Sequence, residues 1–572
     1  MPNSTTVPGF TLLKAGAEIS SEQVYSVHVE FGASTIPKAT VYLNDGSWAL
    51  QNFPESEKTD WQIGDQMEIK IGYQQQHETV FSGLVTKMGI TASEQSISRM
   101  YIELRHELYK SAIKKNSRVF LDKKDSEIIE EIGSELGFNL QIDSSISIHQ
   151  QMIQFNSSNW DFINMRAQAC GMFVFPKNQY LTIQQKVIPT NEKITLKFGS
   201  NIAKVDLEMD SRNCFENYQV SSWNTEDQDI INSEPNLAPT PTVGTVSAEE
   251  IAKRASHGTA VTQFLGSIEE SEAVEKANYR KISAELSKVI GTVKCVGNND
   301  VEIGDWIKLE GLGNQFNGKV LVSGVLHELS AGRWYTSYQI GTNPKTFAEQ
   351  FTDITAEPAA GLLPSVHGLQ IGIVSTLEDP NGGEKILIQL PNLRTGTDAV
   401  WARCSRMDAG KDRGWIYRPE IGDEVILGFI NDDPRQAIIL GSMHSSKNIS
   451  PVKAEDSNHH KGYISRENLK LLFDDEKKKI TITTPDATIE LDDDQKKITL
   501  KNSDNTVELS DAGTKIETQK DLTIKASGDV KIEGTNISLK ASANLESEGS
   551  AGVKLSSSAV TNIKGSIVNI NS

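Results

Sequence analysis

Tryptophan, phenylalanine and tyrosine make up only 7% of the 572 residues, and none occurs after Phe473. The last hundred residues therefore lack the bulky inward side chains that fill a β-sandwich. Cysteine is scarcer: Cys170, Cys214, Cys295 and Cys404 stand far apart with no Cys-x-x-Cys pair. This spacing argues against structural zinc and a disulfide framework and leaves reduced, mostly buried thiols. No apolar run approaches the roughly 20 residues of a membrane span, and Met1-Pro2-Asn3 does not open a cationic, apolar secretory signal. Basic residues are outnumbered, 57 against 76 acidic, for a net charge of −19, which disfavours a nucleic-acid partner. Gly-x-Ser-x-Gly nucleophile motifs and a phosphate-binding glycine loop with its lysine are missing too.

What is present is a repeat. From Ile480 to Ile570 an apolar residue, a polar or small one and a second apolar one recur, separated by charged, small or turn-forming residues. The pairs are Ile480/Ile482, Ile489/Leu491, Ile498/Leu500, Val507/Leu509, Leu522/Ile524, Val530/Ile532, Ile537/Leu539, Val553/Leu555 and Val568/Ile570. Weaker members are Ile516, Leu545 and Ile563. Period-two alternation makes each unit a short strand with one apolar face. One such strand buries two side chains, too few to offset the ordering entropy of a lone chain. Several identical chains wound together bring their apolar rows to a common axis. The segment thus reads as an intertwined trimeric β-helix or β-prism, a needle on the order of 55 to 60 Å long for roughly twelve strands at strand spacing. A β-sandwich half or a single-chain solenoid is the plainer alternative.

A second repetition lies upstream. Ile63-Gly64-Asp65, Ile303-Gly304-Asp305 and Ile421-Gly422-Asp423 each feed an alternating strand. The first two continue alike, through Val80-Phe81-Ser82-Gly83 and Val322-Ser323-Gly324, which predicts two related β-barrels. Between them the period turns helical: Ile128, Ile129, Ile132 and Leu136 follow Asp125-Ser126 and stop at Gly137, and a second helix runs from Trp160 to Gly171. Ser247-x-x-Glu250 is a capping box, Ala273, Ala277, Ile282 and Leu286 lie along another helix, and Asn224 to Thr245, with Pro235, Pro239 and Pro241, reads as a loop. At 572 residues, three to five domains are expected on a prior of about 100 to 200 residues each.

Val366 to His444 reads as five short strands, a small Greek-key barrel of OB type. Its run Pro419-Glu420-Ile421-Gly422-Asp423-Glu424-Val425, followed by Gly428-Phe429, Asp433-Pro434 and Ile439-Leu440-Gly441, resembles the OB domain of VgrG proteins and contractile-phage baseplate spikes. Trp61 to Gly83 and Gly318 to Gly341, with His327, Trp334 and Thr336, are similar to the two barrels of that family's hub. The resemblance implies a mainly β fold with an α/β insertion, divided as hub barrel 1 (1–106), inserted α/β module (107–194), hub barrel 2 with helices (195–345), linker (346–365), OB domain (366–446), connector (447–464) and trimeric spike (465–572). It implies a homotrimer whose six barrels cap a hexameric inner tube of Hcp-like protein, a PAAR-type protein on the tip near Asn569, Ile570, Asn571 and Ser572, baseplate proteins and effector cargo. Synthesis in the cytoplasm and outward delivery on contraction follow. The alternative is a receptor-binding or cell-wall-degrading fibre of a phage-like tail.

No enzymatic centre, metal site or cofactor is expected. Asp474-Asp475-Glu476 and Asp492-Asp493-Asp494 precede lysine runs, which marks them as charged turns rather than the paired carboxylates of a glycosidase. His459 and His460 are neighbours on an extended segment and point to opposite faces, so they are read as a solvated pair. His327 is read as a hydrogen-bonded structural residue. Arg403, Arg406, Lys411 and Arg413 form one basic stretch in the OB region, read as a protein contact, while Asp423, Glu424, Asp432 and Asp433 argue against a nucleic-acid groove.

Overall fold

The computed structural model describes residues 7–570, apart from 75, 95, 186–190, 226, 238–242, 265 and 392–398. The chain falls into two units, 1–369 with 428–438 and 370–427 with 439–572. The secondary structure is mainly β, and no described helix is long and apolar enough to cross a membrane.

In the first unit six strands form one half of a large sheet: β1 (Pro8–Lys14), β2 (Val24–Gly32), β3 (Thr35–Asn44), β4 (Gln66–Tyr73), β5 (Gln76–Ser93) and β6 (Ser96–Arg105). Six more form the other: β7 (Thr195–Lys197), β8 (Ile202–Met209), β9 (Val289–Val296), β10 (Trp306–Glu310), β11 (Gly318–Ser330) and β12 (Arg333–Ile340). The first half is ordered β2-β3-β6-β5-β4-β1, the second β8-β9-β12-β11-β10-β7. The orders are identical once six is added to each number, so the duplication read from two short motifs extends to the whole strand path. One difference is that β1 runs antiparallel to β4 whereas β7 runs parallel to β10. The halves are not separate: β2 pairs with β11, and together with Ala17–Glu18 they make one 13-stranded sheet. Alternation buries one face of this sheet in a common core that includes Val27, Val41, Phe81, Ile102, Val293 and Tyr338.

The duplicated motif has a local physical cause. Each Gly-Asp pair turns with a positive φ, +96° at Gly64 and +87° at Gly304, which glycine adopts without penalty. The aspartate carboxylate then accepts the amide three residues back, Gln62 to Asp65 at 2.8 Å and Glu302 to Asp305 at 2.9 Å. The glycine amide donates to Val85 in one half and to Val322 in the other.

The inserted module carries α1 (Asp125–Glu135) and α2 (Asn159–Ala169), as their apolar spacing predicts. Ser158 caps α2 through the Asp161 amide at 3.1 Å, and Gly137 and Gly171 follow the two helices with positive φ. The Ser247/Glu250 capping box is formed, and α3 (Glu270–Ser287) lies where the alanine and leucine spacing puts it. Two expectations are corrected. The stretch read as a loop contains the strand Asp229–Ser233, paired with Asn217–Asn224 through Ile230 opposite Trp223; its Pro239 and Pro241 lie outside the described residues. The linker is not free either: Phe347 and Ile354 are buried in the core of the inserted module, where a Thr346/Glu349 capping box starts one turn of helix.

In the OB region β13 (Gln370–Thr376), β14 (Lys385–Gln389), β15 (Ala399–Cys404), β16 (Glu424–Phe429) and β17 (Ala437–Ser442) close into a barrel in the order β13-β14-β15-β17-β16. Beyond it, a seven-stranded antiparallel meander runs through β18 (His460–Ile464), β19 (Lys470–Asp474), β20 (Lys479–Thr483), β21 (Ala487–Asp492), β22 (Lys497–Asn502), β23 (Asn505–Ser510) and β24 (Gly513–Thr518). This sheet begins five residues before the expected boundary at 465. The β-helical path expected from Leu522 to Ile570 is absent from the single chain: residues 519–570 carry no strand and all are exposed. Each of those repeats holds too few apolar side chains to cover one another.

Candidate functional site

The meander sorts its side chains by parity. Ile480 stands opposite Leu491, Leu491 opposite Ile498, and Ile498 opposite Leu509. Phe473 extends this row at one end, opposite Ile480. Alongside it runs a second row, Leu471, Ile482, Ile489, Leu500, Val507 and Ile516, each opposite the next. Eleven apolar side chains thus share one face. None is buried; Ile482 is 44% exposed and Leu500 42%.

The opposite face, Leu472 apart, is polar and internally paired. Lys479 bridges Glu490 at 3.0 Å and Asp492 at 3.3 Å, and Lys497 bridges Glu508 at 2.7 Å. Hydrogen bonding to Glu490 raises the Lys479 ammonium above its ordinary pKa. The acidic clusters are turns: Asp474 accepts the Lys477 amide at 3.0 Å and Asp492 the Gln495 amide at 2.9 Å. Those backbone donors are the main reason both carboxyls titrate below their usual value. The arrangement has the geometry of a tight turn, not of a cleft between two carboxyls.

Of the eighteen residues expected in a shared spike core, Ile480, Ile482, Ile489, Leu491, Ile498, Leu500, Val507 and Leu509 lie in the two rows. Leu522, Ile524, Val530, Ile532, Ile537, Leu539, Val553, Leu555, Val568 and Ile570 are exposed and outside any strand. Asn569 is exposed as well, and Asn571 and Ser572 lie outside the described residues. The sequence reading missed Leu471 and Phe473 because three successive apolar residues, Leu471-Leu472-Phe473, blur the alternation. It also missed an exposed aromatic run, Trp415 on Tyr417 at 5.4 Å and Tyr417 on Tyr463 at 4.8 Å between ring centres. These three lie 48 residues apart in sequence, so spacing gave no signal.

The OB motif repeats the Gly-Asp turn of the large sheet. Gly422 has φ +91°, Asp423 accepts the Glu420 amide at 2.8 Å, and the Gly422 amide donates to Val374. Here the accepting strand, β13, precedes the turn, whereas in the large sheet β5 and β11 follow it. Pro419 and Val425 are buried, Gly428 and Phe429 partly so. Asp433 accepts the Arg435 amide and guanidinium beside Pro434, which lowers its pKa. Glu420 pairs with Arg466 at 3.0 Å, while Glu424 lies at the start of β16. In the basic stretch Arg413 is held by Asp408 at 2.6 Å and Arg406 donates to the Tyr417 carbonyl at 2.8 Å.

His327 is buried, with Nδ1 3.1 Å from the Thr336 hydroxyl, and burial pushes its pKa down to about 4. His460 lies 3.5 Å from Asp474. Among the described residues no group of three or more His, Cys, Asp or Glu could hold a metal ion, and the four thiols are free.

Parts of the chain are similar to known proteins. The family model described as the Alg8 N-terminal domain matches residues 4–331, more than half of the chain, and that described as the type VI secretion system/phage-baseplate injector OB domain matches residues 370–444. The actin cross-linking toxin VgrG1 of Vibrio cholerae is 34% identical over 125 residues, 19% of this chain and 11% of that protein. The type VI secretion system spike protein VgrG1c of Pseudomonas aeruginosa is 35% identical over 68 residues, 12% of this chain and 9% of that protein. The matched stretches therefore span about a tenth of these curated relatives. Among solved structures, a 43 kDa tail protein of prophage MuSo2 from Shewanella oneidensis has 11% identity and a TM-score of 0.45, covering 59% of this chain and 98% of that one.

Proposed function

The chain belongs to the Alg8 N-terminal domain family over residues 4–331 and, with its injector OB domain, to the VgrG family, and on that premise we propose that it is the non-enzymatic hub and spike of a contractile injection system, acting as a homotrimer. The observation that carries this reading is the uncovered apolar face from Leu471 to Ile516, continued in sequence by the exposed, strandless repeat to Ile570. Covering the exposed part of each Leu or Ile stabilises the assembly by about 1 kcal/mol. Two sister chains offer the same rows and the same repeat, so all eighteen expected core positions find apolar neighbours at one axis. The segments 1–106 and 195–345 then act as paired hub barrels around the inserted module at 107–194, capping an Hcp-like inner tube. The OB domain at 366–446 and the connector at 447–464 lead into the spike at 465–572, with a PAAR-type tip protein at Asn569 to Ser572. Baseplate proteins surround the hub, and effector cargo is carried through the target envelope on contraction.

The mass of the full chain in solution, by light scattering, tests the reading. Three times the 62.9 kDa chain mass is expected. A monomer whose carboxyl-terminal repeat is ordered and protease-resistant would overturn it. Hydrolysis of purified peptidoglycan would instead favour a cell-wall-degrading fibre.

A further inference from the structure

The face of the large sheet turned away from its core carries a hollow across the β2–β11 joint. On β3 Tyr42 lies between buried Val41 and Leu43, and on β12 Tyr335 lies between buried Trp334 and Thr336, so alternation sends both tyrosines to this outer face. The floor of the hollow is low because small side chains meet there: Ser26 stands opposite Ser330, and Ser330 opposite Arg333. Larger side chains rise around them from six consecutive strands, β9, β12, β11, β2, β3 and β6, and leave an open volume of about 580 Å3. Every lining residue belongs to the first unit of the chain.

The charge of the hollow runs against that of the chain. Arg99, Lys294 and Arg333 line it against one carboxylate, Glu328, in a protein whose net charge is −19. Lys294 bonds Glu328 at 2.5 Å. Arg99 and Arg333 have no ion pair among the described residues, and Arg99 Nε is buried without a partner. Their neighbours on the same face are paired, Arg105 with Glu103 at 2.7 Å and Lys38 with Glu30 at 2.8 Å. The Arg99 guanidinium lies 3.9 Å from the centre of the Tyr25 ring, and the Lys294 ammonium 4.9 Å from that of Tyr335. A guanidinium stacked on a ring holds its donors in a fixed plane, which suits a planar carboxylate.

We infer that the hollow binds an acidic, extended segment of a partner protein, whose carboxylates are taken by Arg99 and Arg333. From β9 to β6 is five strand spacings, about 24 Å, a distance that about seven extended residues cross. A nucleic acid fits less well, because bases need bare ring faces to stack on, whereas Tyr25 and Tyr335 each already carry a cation. The inference goes beyond the hub-and-spike reading and stands without it, since the hollow is complete within one chain.

Fluorescence anisotropy of the full chain tests the site with a fluorescein-labelled peptide of alternating Glu and Ser, about eight residues long. The same peptide with Gln in place of Glu and a labelled oligothymidylate are the comparisons. The Glu peptide should bind, more weakly as salt is added, and the Gln peptide should not. Arg99→Gln with Arg333→Gln should weaken binding by about tenfold or more. Lys123→Gln with Lys124→Gln removes the same charge outside the hollow and should leave the affinity unchanged. Ser330→Trp, which fills the floor and keeps both arginines, should weaken binding as well. Melting of each variant separates lost binding from lost fold. The site is overturned if the Glu peptide binds no better than the Gln peptide, if the arginine and lysine variants lose binding equally, or if Ser330→Trp binds as the parent does. Tighter binding of the oligothymidylate at the same salt would replace the acidic segment with a nucleic acid and overturn it too.

Discussion

The hub sheet and the spike sheet are written in the same alternating pattern of Val, Ile and Leu, but they stand in different physical states. In the hub, strands far apart in sequence return to one another, and Val27, Val41, Phe81 and Ile102 are 0% exposed. In the spike, each strand pairs only with its sequence neighbours, and Ile489, Leu491 and Ile498 are left 39 to 42% exposed. Alternation decides which face is apolar; it does not supply the cover. A sheet to which distant strands return covers its own apolar face, whereas the face of a meander of five- and six-residue strands stays open within one chain. Within one chain the large sheet is covered and the meander's apolar face is open, so in the proposed assembly only the meander depends on other copies for its cover.

The largest expected effect breaks the spike alone. Ile489→Asp with Leu500→Asp places two carboxylates directly opposite each other on the apolar face, six in a trimer, where unpaired charge is very costly. The trimer should be lost by light scattering while the hub keeps its melting transition. Thr499→Asp, on the paired polar face, should leave the mass unchanged. Val530→Asp with Ile532→Asp carries the same test into residues 519–570. If either apolar-face pair leaves a trimer of unchanged heat resistance, those side chains are not at the axis.

Next in size is the converse. Phe81→Ala empties a fully buried site in the hub core and should cost about 3 to 5 kcal/mol. Its midpoint in denaturant should fall by the same amount at every protein concentration. The spike transition, by contrast, should move with concentration if it contains the proposed association step.

That division also explains what could be read in advance. Turns and caps were legible because they are local: Asp65, Asp305 and Asp423 act on amides three residues away, and Ser247 with Glu250 needs four positions of chain. The alternating rows were legible for the same reason. The β2–β11 joint was not, since it brings Val29 beside His327 across nearly three hundred residues with no periodicity to mark it. Burial of Phe347 and Ile354 was hidden likewise, because their partners lie in the inserted module. The aromatic run from Trp415 to Tyr463 depends on a loop and a strand that only folding brings together.

The joint itself offers a pH handle. His327 is held neutral by burial at a pKa of about 4, against about 6.5 in an unfolded chain. A depressed histidine contributes stability fully above pH 6.5 and loses it as pH falls toward 4, where the loss is on the order of 3 kcal/mol. Hub unfolding measured across that window should show this slope, and His327→Ile should flatten it. Thr336 keeps its bonds to the Asn298 amide and carbonyl, at 2.9 and 3.1 Å, so the substitution strands no buried hydroxyl. Within the spike, Asp474 and Asp492 titrate below their usual value, so that sheet should be steady over the same window.

The smallest effects compare a device that the hub sheet shares with the OB barrel. Asp65→Ala, Asp305→Ala and Asp423→Ala each remove a carboxylate that accepts a turn amide, for about 1 to 2 kcal/mol. The glycines beside them should separate. A Cβ at Gly64 or Gly422 meets nothing within 4 Å, so Gly64→Ala and Gly422→Ala cost only the strain of a left-handed residue, about 1 kcal/mol. At Gly304 the added carbon would come within 3.2 Å of the Phe175 ring. Gly304→Ala should therefore destabilise by more than the other two in chemical denaturation. Equal costs at all three sites would mean that Phe175 yields, and that the turn is limited by its backbone alone.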